Sequence, residues 1–95
     1  MREYEMMVII DPDLSEGDIG ATIEKLKDII VSDGGEIENI DEWGKRTLAY
    51  EIRHKKEGYY VVFYFKGKPT LPDKLRRELR LNPNLMRGMI LRRGD

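Results

Sequence analysis

Cysteine is absent from the 95-residue sequence, and histidine occurs once, at His54. The first absence excludes a disulfide scaffold, a thiolate zinc site and a thiol nucleophile. The second leaves no histidine-rich metal centre. Long apolar runs are also missing. The longest, Tyr59 to Phe65, has seven residues, where a spanning helix needs about 20. Met1-Arg2-Glu3-Tyr4-Glu5 is too acidic for a secretory signal. No glycine-rich phosphate loop is present, because Gly34-Gly35 closes a predicted helix instead of opening one. Neighbours Asp41 and Glu42 on a predicted strand point to opposite faces, so they form no acid/base pair. The acidic residues lack metal-loop spacing. These absences predict a soluble cytoplasmic protein that is not an enzyme, needs no metal or cofactor, and takes no small-molecule substrate or membrane partner.

What is present is charge, unevenly placed. The net charge is −1. Residues 1–42 hold three basic side chains (Arg2, Lys25, Lys27) against thirteen acidic ones, and residues 43–95 hold fourteen basic against five acidic. A basic half attracts polyanions while the whole chain stays near neutral.

The length predicts a single domain over 1–95. Glu3 to Ile10 reads as a buried strand, broken by Asp11-Pro12-Asp13. Ser15, with Asp18 three residues on, predicts a capped helix start. Ile19, Ile23, Leu26 and Ile30 predict its buried face. Ile37 to Ile52 reads as a long strand bent at Gly44, followed by a polar turn over 53–58 and a third strand over 59–65. Thr70-Leu71-Pro72-Asp73 repeats the capping pattern, and Leu71, Leu75 and Leu79 share a face of a second helix. Asn82-Pro83-Asn84 stops it, and 85–91 forms the last strand.

The order strand, helix, strand, strand, helix, strand predicts an α+β ferredoxin-like split βαβ fold. It is a four-stranded antiparallel sheet with two helices on one face and the first and third strands central. A central place also protects the run 59–65, a self-association hazard at an edge. The opposite sheet face has no cover within the chain. Met6, Val8 and Ile10 should face the helices, and Met7 and Ile9 the open side. Arg87, Met89 and Leu91 are assigned to the open side, away from Met86, Gly88 and Ile90, because a buried arginine is costly. Both parities of the third strand are apolar or aromatic.

One segment is more specific. Trp43-Gly44-Lys45-Arg46-Thr47-Leu48-Ala49-Tyr50-Glu51-Ile52-Arg53 resembles the signature of the bacterial ribosomal protein S-six family. Arg2-Glu3-Tyr4-Glu5, Asp11-Pro12-Asp13-Leu14, Glu57-Gly58-Tyr59-Tyr60, Leu75 to Arg80 and Asn84 to Arg87 extend the likeness along nearly the whole chain. Thr47 and Glu51 depart from it, standing where a larger polar residue and a proline are common. The sequence ends at Gly94-Asp95, short of the acidic tail of some members, so tail glutamylation is not expected. The resemblance implies the ferredoxin-like fold and a structural role in the small ribosomal subunit. It also implies binding to the central domain of small-subunit ribosomal RNA jointly with small-subunit ribosomal protein eighteen.

Charge and strand parity then nominate residues. Arg2, Lys45, Arg46, Arg53, Lys55, Lys56, Arg87, Arg92 and Arg93 are the expected RNA contacts, since guanidinium forks suit phosphates. Met7, Ile9, Val61, Phe63, Met89 and Leu91 are the expected contacts to the partner protein. Lys74, Arg76, Arg77 and Arg80 read as a solvated helix face because Glu78 is interleaved. His54 reads as a surface turn residue. The rival is an RNA-recognition-motif-like module binding single-stranded RNA through Tyr59 and Phe63. The third strand matches that motif poorly, with Glu57 before Gly58 and Tyr60 at a small-residue position.

Overall fold

A computed structural model describes residues 1–94. The elements are β1 (Arg2–Ile10), α1 (Glu16–Ser32), β2 (Glu36–Ile52), β3 (Lys55–Gly67), α2 (Leu71–Leu81) and β4 (Leu85–Arg93). The sheet order is β2-β3-β1-β4 and every pairing is antiparallel. Tyr4, Met6, Val8 and Ile10 of β1 pack with Val61, Phe63 and Phe65 of β3 against Ile19, Ile23, Leu26 and Ile30 of α1 and Leu71 and Leu75 of α2. Both helices therefore cover one sheet face, as the element order predicts.

Local chemistry sets the boundaries. Ser15 Oγ accepts from the Asp18 backbone N–H at 3.1 Å, starting α1. Glu16 and Asp18 favour the positive end of its dipole. Gly34 and Gly35 close the helix by donating to the carbonyls of Val31 and Ile30. Thr70 departs from the expected capping pattern: its backbone is already helical and its side chain makes no cap bond. Pro72, in the first turn where a missing N–H costs little, takes part of that role.

The β2–β3 turn is tighter than the sequence reading. Ile52 pairs directly with Lys55, so only Arg53 and His54 lie in the loop. Both have positive φ, 52° and 64°. That handedness matches strand twist in a two-residue hairpin, which is why charged residues read as a long polar turn are drawn into β3. His54 is exposed in this turn, as expected. β2 slips register at Ile37/Asn39, Glu42/Gly44 and Thr47/Ile52. Gly44, at φ 80°, serves the middle slip and bends the strand where the sequence places the bend.

Candidate functional site

The uncovered face can be read row by row from the strand register. Glu36, Lys66, Glu3 and Arg93 form one row across β2, β3, β1 and β4. Asn39, Tyr64, Glu5 and Leu91 form the next, then Asp41, Val62, Met7 and Met89. Gly44, Tyr60, Ile9 and Arg87 complete it. The face thus grades from charged at one end to apolar at the other.

The apolar end is partly closed by the chain itself. The long hairpin brings Leu48 onto Ile9 and Met86, and all three are buried together with Ile52 and Tyr60 against them. Between this hairpin and β4 lies a cleft of about 370 Å³ lined by Met7, Leu48, Ala49, Tyr50, Tyr60 and Met89 among others. Met89 and Leu91 remain 49% and 48% exposed beside it.

Three arginine–aromatic pairs frame this surface. Arg46 lies 5.9 Å from the Trp43 ring centroid and donates from Nε to the Trp43 carbonyl at 3.3 Å. Trp43 in turn stacks on Tyr60, and its Nε1 donates to Asp41 at 3.0 Å. Arg87 sits 5.8 Å from the Tyr50 ring and donates to its hydroxyl. Arg93 crosses the sheet face 5.2 Å from the Tyr64 ring to donate to Glu38 of β2 at 3.0 Å. Cation–π contact holds each guanidinium against a ring and fixes the ring's pose.

The nominated partner contacts divide. Met7, Met89 and Leu91 do face the open side. Val61 and Phe63 do not: they pair with Val8 and Met6, are fully buried, and belong to the core under the helices. The open side of β3 carries Tyr60, Val62 and Tyr64 in their place. Ile9 faces the open side but is only 5% exposed, covered by Leu48 and Met86. Met86 itself contradicts its expected parity, because a register slip at Ile9/Ile10 sets it beside Ile9. Tyr59, like Phe63, points to the helix side, so the rival's base-stacking pair is not on the open face. The Tyr59 hydroxyl donates to Glu42 at 3.0 Å, and burial, then that bond, raises its pKa.

The nominated basic residues also divide. Arg53 and Lys55 are internal ties. Arg53 donates to the carbonyls of Pro83 and Leu85. Lys55 pairs with Asp13 and, at 3.0 Å, with Asp11. The Asp13 and Asp11 bonds raise the Lys55 pKa. The Asp11 carboxylate is held below its usual range, first by the backbone N–H of Asp13 at 3.0 Å. Arg2, Lys45 and Lys56 are exposed. Arg2, Arg92 and Arg93 share a shallow basin with Lys66 at one end of the sheet. Arg87 stands apart from them, about 20 Å back along β4 at the usual strand rise.

The profile for ribosomal protein S6 matches residues 3–92. The chain belongs to the ribosomal protein S6 family. It is similar to small ribosomal subunit protein bS6 of Caldanaerobacter subterraneus, 46% identical over 95 residues and covering all of both chains. The bS6 protein of an Arthrobacter strain is 48% identical over 92 residues, 97% of this chain and 91% of that one. Among solved structures, 30S ribosomal protein S6 from Thermotoga maritima superposes with a TM-score of 0.92 at 34% identity, covering 97% of this chain and 87% of the other. The family is structural, and the chain is not an enzyme. In this S6-family chain the segment that carries the resemblance, residues 43–53, builds one wall of the open-face cleft. Trp43 caps Tyr60, Leu48 and Ile52 cover Ile9, Tyr50 meets Arg87, and Arg53 pins the hairpin tip. The sequence reading left the parity of Tyr60, Val62 and Tyr64 open and did not nominate Tyr50; of these, Val62 faces the open side but is only 3% exposed. The Leu48-Ala49-Tyr50 motif was the signal that could have found Tyr50.

Proposed function

We propose that this small-subunit ribosomal protein, resident on cytoplasmic ribosomes, acts by binding the central domain of small-subunit ribosomal RNA together with small-subunit ribosomal protein eighteen, supporting assembly of the subunit. The observation that carries this reading is the open sheet face: Met89 and Leu91 half exposed beside an apolar cleft, with no covering element among the described residues. Such a patch on a small soluble domain is an interaction surface. Its acidic groups Glu36 and Asp41 suit a basic partner, and charge complementarity sets approach and register. The exposed cations Arg2, Lys45, Lys56 and Arg92, with Arg46 and Arg87 poised on rings, supply phosphate contacts whose affinity comes from released counterions, while Arg93 is held by Glu38. Met7, Met89 and Leu91 supply the protein contact. The partner adds its own basic groups, so the pair holds RNA more tightly than either protein alone.

The test is RNA binding by the chain with and without the purified partner, across a salt titration. Affinity should rise when the partner is added and fall with salt. A chain that neither co-purifies with small subunits nor gains RNA affinity from the partner would refute the reading.

A further inference from the structure

Glu78 is the reason that the second helix reads as a balanced, solvated face in sequence, and the structure removes that reason. Its carboxylate turns inward. Lys25 of α1 stands 3.5 Å from Oε2, Asn82 donates to the same oxygen at 2.9 Å, and the side chain is only 16% exposed. Lys74 is likewise neutralised, by Asp33 at the end of α1. The outward stripe of α2 is then Asp73, Arg76, Arg77 and Arg80. Asp73 meets Arg76 in a fully surface pair at 3.3 Å, which holds little energy. Arg77 and Arg80 meet no carboxylate among the described residues.

This cationic stripe borders a groove. Arg76 and Arg80 stand on one side, the outer edge of β4 at Gly88, Met89 and Ile90 on the other, with Leu79 between, enclosing about 440 Å³. β4 pairs only with β1, so its other edge is open to this groove. One turn apart on the same helix face, the two guanidiniums stand about 5–6 Å apart at their Cβ atoms. Planar forks so placed take phosphate oxygens in pairs.

We infer that the α2–β4 groove is a second track for an RNA phosphate backbone, with Arg76 and Arg80 as its contacts and Arg77 flanking them. It lies on the α2 side of β4 and adjoins the open-face cleft, with which it shares Gly88 and Met89. The inference rests on the proposed RNA binding and deepens it by naming a site that the charge pattern alone assigned to solvent. Phosphate is favoured over an acidic peptide because the groove sets two guanidiniums one helical turn apart, and their planar forks match phosphate oxygens.

The experiment is a salt titration of binding to a central-domain ribosomal RNA transcript, with the protein partner present. It compares the unaltered chain, Arg76→Gln/Arg80→Gln and the exposed-lysine control Lys68→Gln, with thermal unfolding as a fold check. Each phosphate contact adds about 0.9 to the slope of log affinity against log salt, so the double variant should lose about 1.8 and bind about tenfold or more weakly at moderate salt. Lys68→Gln should match the unaltered chain. An unchanged slope in a folded double variant overturns the groove and leaves RNA binding intact. Loss of capture of an acidic peptide with RNA binding unaffected also overturns it, reassigning the groove to protein. Failure of the unaltered chain to bind the transcript refutes both readings.

Discussion

The guanidinium of Arg53 reaches Leu85, thirty-two residues away in sequence, and donates to its carbonyl at 3.1 Å while a second nitrogen donates to Pro83 at 2.9 Å. The tip of the long β2–β3 hairpin is thereby fastened to the start of β4. That fastening holds Leu48 over Ile9 and Tyr50 beside Arg87, so the cleft exists because the tip is held. Arg53→Ala should cost about 1 kcal/mol in urea unfolding, the worth of charge-assisted bonds at a largely exposed site. It should also raise hydrogen exchange in residues 47–58 beyond that of the central strands. Equal exchange in the two proteins would show that the tip is held by something else.

The neighbouring tie is electrostatic and has a defined pH window. Asp11 has a lowered pKa, so its contribution is present above the ordinary carboxylate value and is lost as pH falls through the depressed one. Lys55 has a raised pKa, so its contribution is present below the ordinary lysine value and is lost as pH rises through the elevated one. Thermal unfolding of the unaltered chain should therefore weaken at both extremes. Lys55→Met should flatten the alkaline limb and part of the acid limb. Identical pH profiles would remove the tie from the account.

Two apolar substitutions separate core from surface. Phe63→Ala should destabilise by about 3–5 kcal/mol, the loss of a buried aromatic plus its cavity. Leu91→Ala, at a half-exposed position, should change stability by no more than about 0.5 kcal/mol and weaken capture of the partner protein. Denaturant midpoints and partner pull-down together decide the point. A Leu91→Ala chain that captures the partner normally would exclude this part of the face from the interface.

Gly58 offers a steric test of hairpin seating. A Cβ there would come 2.3 Å from Ile9 Cγ2, under the buried Leu48. Gly58→Ala should cost about 1–3 kcal/mol through overpacking and should loosen the cleft, read as increased exposure of Trp43 and Tyr60 to a fluorescence quencher. Ile9→Leu in the same chain, which removes the Cγ2 branch, should recover part of the loss.

The order of elements was legible because each carries its own period and its own stop signal: Ser15, Gly34, Gly44 and Pro83 all act where the sequence places them. The facing of β3 was not. Its stretch Tyr59 to Phe65 is apolar or aromatic on both parities, so alternation carries no information, and only pairing with β1 decides that Val61 and Phe63 go inward. Met86 was misplaced for a related reason, since a single register slip reverses parity and leaves no mark in composition. The arginines were found by charge, but charge does not reveal which of them are engaged at home. Arg53 reaching a carbonyl, or Glu78 turning toward Lys25, depends on contacts between segments far apart in sequence.

The three register slips of β2 reach beyond this chain's own shape. An outer strand of seventeen residues would ordinarily present a regular row of amides to any passing chain. Interrupted near Glu38, Trp43 and Leu48, this one offers no uninterrupted run on which a stranger's backbone could be templated. A small protein can therefore wait for its assembly partners with one side bare and leave no regular template along this edge.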